Sequence, residues 1–220
     1  MSAVALLAFF WLLRPAEGSA LPGAARPAVN PITNLPRFFR QPRLVLAWVL
    51  AVGRHAFWIM FFVYAPIYAV TSGLGEIAGG LIVSLGTAWL VIVPYLGRLG
   101  RTHGFRRLLM LGFVVAGLFT LVAASVAGVP WLGAAALVMA ALGGIAIDAG
   151  GNVHFLRAVR ARERSEMTAV FATFRYTAQL LPPGVFSLVL YVYELPAVFV
   201  LGGALMLVMA YYCSYLPRRL

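Results

Sequence analysis

Apolar residues run along this chain in stretches of about twenty, and polar residues gather in the gaps between them. Six stretches have the length a bilayer-crossing helix needs, at residues 44–70, 77–96, 108–126, 131–153, 168–191 and 195–215. The gaps alternate in kind. Residues 71–76, 127–130 and 192–194 hold no arginine. Residues 97–107 carry Arg98, Arg101, Arg106 and Arg107, residues 154–167 carry Arg157, Arg160, Arg162 and Arg164, and the tail carries Arg218 and Arg219. This alternation predicts an all-α polytopic membrane protein with its basic gaps on the cytoplasmic side. An even number of spans then places the C-terminus on the same side as the segment before the first span.

That segment divides in two. The apolar run 3–13 is too short to cross a bilayer, covering roughly 17 Å at helical rise, and reads as the end of a membrane helix that began earlier. Residues 14–43 carry six prolines and five arginines. Proline at that density predicts an irregular or extended cytoplasmic linker, followed by a transmembrane bundle over residues 44–220.

Composition sharpens the class. The chain is 63% hydrophobic and 10% charged, which excludes an ordinary water-soluble domain of 220 residues. The net charge of +11 comes from seventeen basic residues, every one an arginine. Because these sit beside the spans, orientation and anionic headgroups explain them better than nucleic acid does. The lone cysteine, Cys213, lies in an apolar stretch and reads as packing. No paired-cysteine site, His-Glu-x-x-His, nucleophile elbow or phosphate loop occurs, so neither an enzyme nor a metal or organic cofactor is expected.

Two arginines break the alternation. Arg54 and Arg175 fall inside predicted spans, where a charge is expensive and marks function. Asp148, near the cytoplasmic end of its span, is the acidic residue placed to meet them around one cavity. His55 beside Arg54 titrates near neutrality and offers a proton relay. Trp58, four residues on, shares a face with Arg54 and is expected to stack on it. Phe171, Arg175, Gln179 and Pro182 fall on one face of the fifth span, and Pro182-Pro183-Gly184 predicts a kink that suits a hinge.

Residues 97–107, read from Gly97 through Leu99, Arg101 and Gly104 to Arg106 and Arg107, resemble the signature loop of the major facilitator superfamily. The match departs at the acidic position, here Arg101, and at the next basic one, here Thr102. The run Asp148-Ala-Gly-Gly-Asn152-Val-His154, continued by Arg157, Arg160, Glu163, Arg164 and Thr168, is similar to the junction of the tenth and eleventh helices of bacterial members. The resemblance implies the C-terminal six-helix half of such a transporter in a bacterial-type inner membrane. The long basic loop, between the second and third spans of the first trio and the first and second of the next, reads as two inverted three-helix repeats. The resemblance further implies alternating-access movement of a small solute, either coupled to protons or facilitated. The basic intramembrane residues point to an anionic solute, with Arg54, His55, Trp58, Asp148, Asn152, Arg175 and Gln179 along its pathway. The expected partners are the bilayer, the solute with H+, and either the N-terminal half or a second copy, with no nucleic acid. A non-transporting scaffold or sensor that keeps the same bundle is the alternative.

Overall fold

Inside a bilayer the backbone must satisfy its own hydrogen bonds, so a long apolar segment crosses as a helix. The computed structural model describes residues 31–126 and 128–216, and among these all regular structure is helical. The run 3–13, linker residues 14–30 and Arg218 and Arg219 lie outside the described residues.

Helix α1 spans Pro31–Phe39 and α2 spans Pro42–Thr71. A tight turn leads into α3, Glu76–Ala88, which passes through a 3-10 turn, Trp89–Ile92, into α4, Val93–His103. Helices α5, Phe105–Ser125, and α6, Pro130–Gly150, follow. The short α7, Val153–Ala158, and α8, Arg164–Phe171, precede α9, Phe174–Val192, and α10, Leu195–Cys213.

Among the described residues five segments are long and apolar enough to cross a membrane: Pro42–Thr71, Glu76–His103, Phe105–Ser125, Pro130–Ala158 and Leu195–Cys213. Sequence patterning predicts a sixth over 168–191. There α9 has the length, at 19 residues, but falls short in hydropathy because Arg175, Gln179, Pro182 and Pro183 interrupt it.

Two further expectations change. The predicted linker is helical from Pro31, because Pro31 sits where a helix needs no N–H and α1 buries Phe38 completely. Phe38 joins Leu44, Phe155, Phe171 and Phe174 in a cluster that ties α1 to the start of α2 and to α7 and α8. An ion pair of 2.7 Å from Arg37 Nη2 to Glu163 Oε1 holds the same end.

The predicted loop 97–107 is also helical almost throughout, since arginine is a good helix former and α4 simply continues past its apolar part. Only Gly104 turns the chain, at φ 94°, directly into α5. A side chain is strained in that conformation. Gly104→Ala is therefore expected to lower stability by about 1–2 kcal/mol, read from unfolding in detergent.

At the centre of the bundle α5 lies between α6 and α10, while α2 packs on α3, α6, α9 and α10. Glycines set these approaches. A Cβ on Gly117 would lie 2.9 Å from the Gly203 carbonyl oxygen, and one on Gly143 would lie 2.6 Å from that of Gly112. Without a hydrophobic drive between helices in lipid, such backbone contact supplies the association. Phe57, Phe61, Phe113, Leu137 and Phe199 fill the core beside it. Large apolar side chains on the outside remain uncovered, Val91 at 84% and Tyr191 at 88%, as contact with acyl chains requires.

Candidate functional site

Arg54 sits on the packed face of α2 among Ala51, Gly53, Ala56 and Phe57, and is only 9% exposed. It lies twelve residues past Pro42, so roughly 18 Å along the helix axis, well inside the span. Its partner comes from the end of α6. The Asp148 Oδ1 atom is 3.5 Å from Arg54 Nε, two residues before that helix stops. A carboxylate at a helix C-terminus opposes the helix dipole, so it needs compensation from outside its own helix. Arg54 supplies the charge, and the Trp58 indole donates a 2.8 Å hydrogen bond to Asp148 Oδ2.

The helix stops at Gly151, whose φ of 50° suits glycine, and the chain resumes as α7 two residues later. In that break Asn152 Oδ1 accepts a hydrogen bond from Arg54 Nη2 at 3.4 Å. His154, two residues on and buried, meets the Ala47 carbonyl oxygen at 3.3 Å. The α6–α7 break is thus fastened to α2 by Asp148, Asn152 and His154 in succession.

The third wall is α9. Its Phe174 ring is within reach of both guanidinium groups, 6.0 Å from Arg54 Cζ and 5.9 Å from Arg175 Cζ. His55 meets the same ring edge-on, at 4.9 Å between centroids. Just before α9, Thr173 Oγ1 accepts a 3.1 Å hydrogen bond from the Trp48 indole. The chain breaks at Ala172–Thr173, and α9 then runs unbroken through Pro182 and Pro183. The hinge expected at Pro182-Pro183-Gly184 is thus part of one continuous helix.

The pathway residues are brought together in part. Arg54, Trp58, Asp148 and Asn152 form one connected group. Trp58 does not stack on Arg54 as expected; it binds the carboxylate that Arg54 binds. Arg175 forms no ion pair with Asp148 and reaches the group only across Phe174, and both Arg175 and Gln179 are exposed on α9. Phe174 was not legible beforehand: nothing in its spacing separates it from the other phenylalanines of the chain.

The signature residues form a different place. Leu99 packs with Phe105 and Leu108, while Thr102, His103, Gly104, Arg106 and Arg107 line an open cavity of about 500 Å³ with Met110.

A buried arginine paired with a half-buried carboxylate, inside a bundle of apolar helices, defines the class: an all-α, multi-pass membrane protein with a polar centre. Set against protein-family models, curated proteins and solved structures, the chain matches none.

Proposed function

We propose that the chain is a six-span half-bundle of a secondary transporter of the major facilitator kind, moving a small anion by alternating access with proton coupling. In this reading α9 is the sixth span, its hydropathy lowered because it faces a solute path. The basic ends α1, α4, α7 and α8 face the cytoplasm. The spans form two inverted three-helix units that rock against a second bundle.

The observation that carries this reading is Arg54, buried at depth and held by Asp148 and Asn152 across the break between α6 and α7. Charge at that depth marks a path for ions or solutes. Arg54 and Asp148 neutralise each other, which leaves Arg175 as the exposed positive group where an anion first binds. An anion that then takes Arg54 displaces Asp148, and the carboxylate holds a proton in place of the guanidinium. Trp58 keeps that carboxylate in position through the exchange.

The test is uptake of labelled small carboxylates and phosphates by vesicles carrying the protein made from its complete reading frame. Arg175→Gln is expected to lower kcat/KM at least tenfold, mainly through KM. Asp148→Asn is expected to lose uphill accumulation while keeping exchange. Normal transport by both variants would sink the proposed path, and no flux of any anion in the unaltered protein would favour the scaffold alternative.

A further inference from the structure

A second charged feature lies apart from that polar centre. Arg37, Arg40, Gln41, Pro42, Arg43, Ala158, Arg160 and Glu163 enclose an open cavity of about 530 Å³. It sits between α1, the first turn of α2 and the end of α7, so it opens where the membrane span Pro42–Thr71 begins. Its four arginines are met by Glu163 in the lining and by Glu166 on Arg37, which leaves two positive charges in surplus.

The pairing within the cavity is uneven. Arg37 is committed, at 2.7 Å to Glu163 and 3.9 Å to Glu166. Arg40, Arg43 and Arg160 make no ion pair with a carboxylate among the described residues. Three guanidinium groups converge here from two different stretches of chain. The stretches that carry them are held together because Phe38 and Leu44, on α1 and α2, are buried in one cluster with Phe155 of α7. Two large apolar side chains close to these residues in sequence are exposed: Phe39, next to Arg40, at 48% with its ring 6.0 Å from that of Trp48, and Leu156, two residues before Ala158.

We propose that this cavity binds the headgroup of an anionic membrane lipid carrying two phosphodiesters, with its acyl chains running along Phe39 and Leu156. The guanidinium fork matches phosphate oxygens geometrically as well as by charge. Basic pockets between membrane helices on the cytoplasmic side favour such headgroups. Two phosphodiesters offset both surplus charges, whereas one leaves half of the surplus unbalanced. A free phosphate would satisfy the guanidinium groups but would leave the exposed Phe39 and Leu156 unused.

The full chain in neutral detergent micelles is titrated with cardiolipin, phosphatidylglycerol or phosphatidylcholine, with binding read by native mass spectrometry and by thermal shift. Cardiolipin is expected to bind tightest and phosphatidylcholine weakest, with affinity falling as salt rises. The triple variant Arg40→Gln/Arg43→Gln/Arg160→Gln is expected to lose at least tenfold in cardiolipin affinity. A second triple variant, Arg98→Gln/Arg101→Gln/Arg107→Gln, removes the same charge elsewhere and is expected to stay within twofold of the unaltered chain. Size-exclusion chromatography checks that both remain folded. Equal losses in the two variants would show diffuse attraction rather than a site and would overturn the proposal. So would equal binding of phosphatidylcholine, or displacement of cardiolipin by inorganic phosphate at comparable concentration.

Discussion

Asp148→Asn should destabilise the bundle by about 3 kcal/mol, more than Arg54→Met does, because the two charges are unequally buried. Arg54 is 9% exposed, and Asp148 holds its only carboxylate contact among the described residues. Removing that charge leaves a guanidinium at membrane depth with Asn152 and the Phe174 face alone. Asparagine still accepts from Trp58, so the loss isolates the charge. In the reverse case Arg54→Met leaves a carboxylate that keeps its 2.8 Å bond to Trp58 and whose side chain is 36% exposed. About 1–2 kcal/mol is expected there, well under the cost of stranding a fully buried ion. Removing both partners should cost less than the sum, with a coupling of about 1–2 kcal/mol. Reversible unfolding of the four proteins in mixed micelles measures it, and strict additivity would mean that the pair carries no interaction.

The second large effect is expected at the contact of α5 and α6. In Gly143→Ala the new Cβ falls 2.6 Å from the Gly112 carbonyl oxygen and 2.9 Å from Ala116 Cα, with the Ala116 nitrogen nearer still. All three obstacles are backbone, so the helices must separate, and about 3 kcal/mol of stability should be lost. Gly202→Ala meets only the flexible Met60 side chain, whose adaptable thioether can move aside, so roughly 1 kcal/mol is expected. Gly80→Ala meets nothing within 4 Å and should gain a few tenths of a kcal/mol from helix propensity. The order of the three in one unfolding series is the check, and a Gly143 variant as stable as the Gly80 variant would remove the close-packing account.

Those two sites show different degrees of legibility. Glycines in apolar stretches announce close packing, but which glycine meets backbone and which meets a movable methionine depends on how the helices cross. Arg54 and Asp148 stand out because charge inside an apolar run is rare and expensive, and helical rise alone gives their approximate depth. Trp58 belongs to the same helix face as Arg54 and was legible as a neighbour, though with the wrong partner. The run 97–107 misled because low hydropathy was read as loop, whereas arginine and leucine keep a helix going until Gly104. Residues 31–39 misled in the same sense, since burial of Phe38 outweighs the proline within the helix.

By itself the sequence determined that this protein is helical and crosses a membrane several times, and where its unusual charges lie along those helices. Lipid offers the backbone no hydrogen bonds, so twenty apolar residues leave the chain almost no other choice. Only the tertiary structure decided the partners. The helix break at Gly151 turns Asn152 toward α2, and α9 brings Phe174 within reach of two arginines more than a hundred residues apart. Such contacts depend on the rotation and crossing of three helices, and packing between helices, not periodicity within one, sets both.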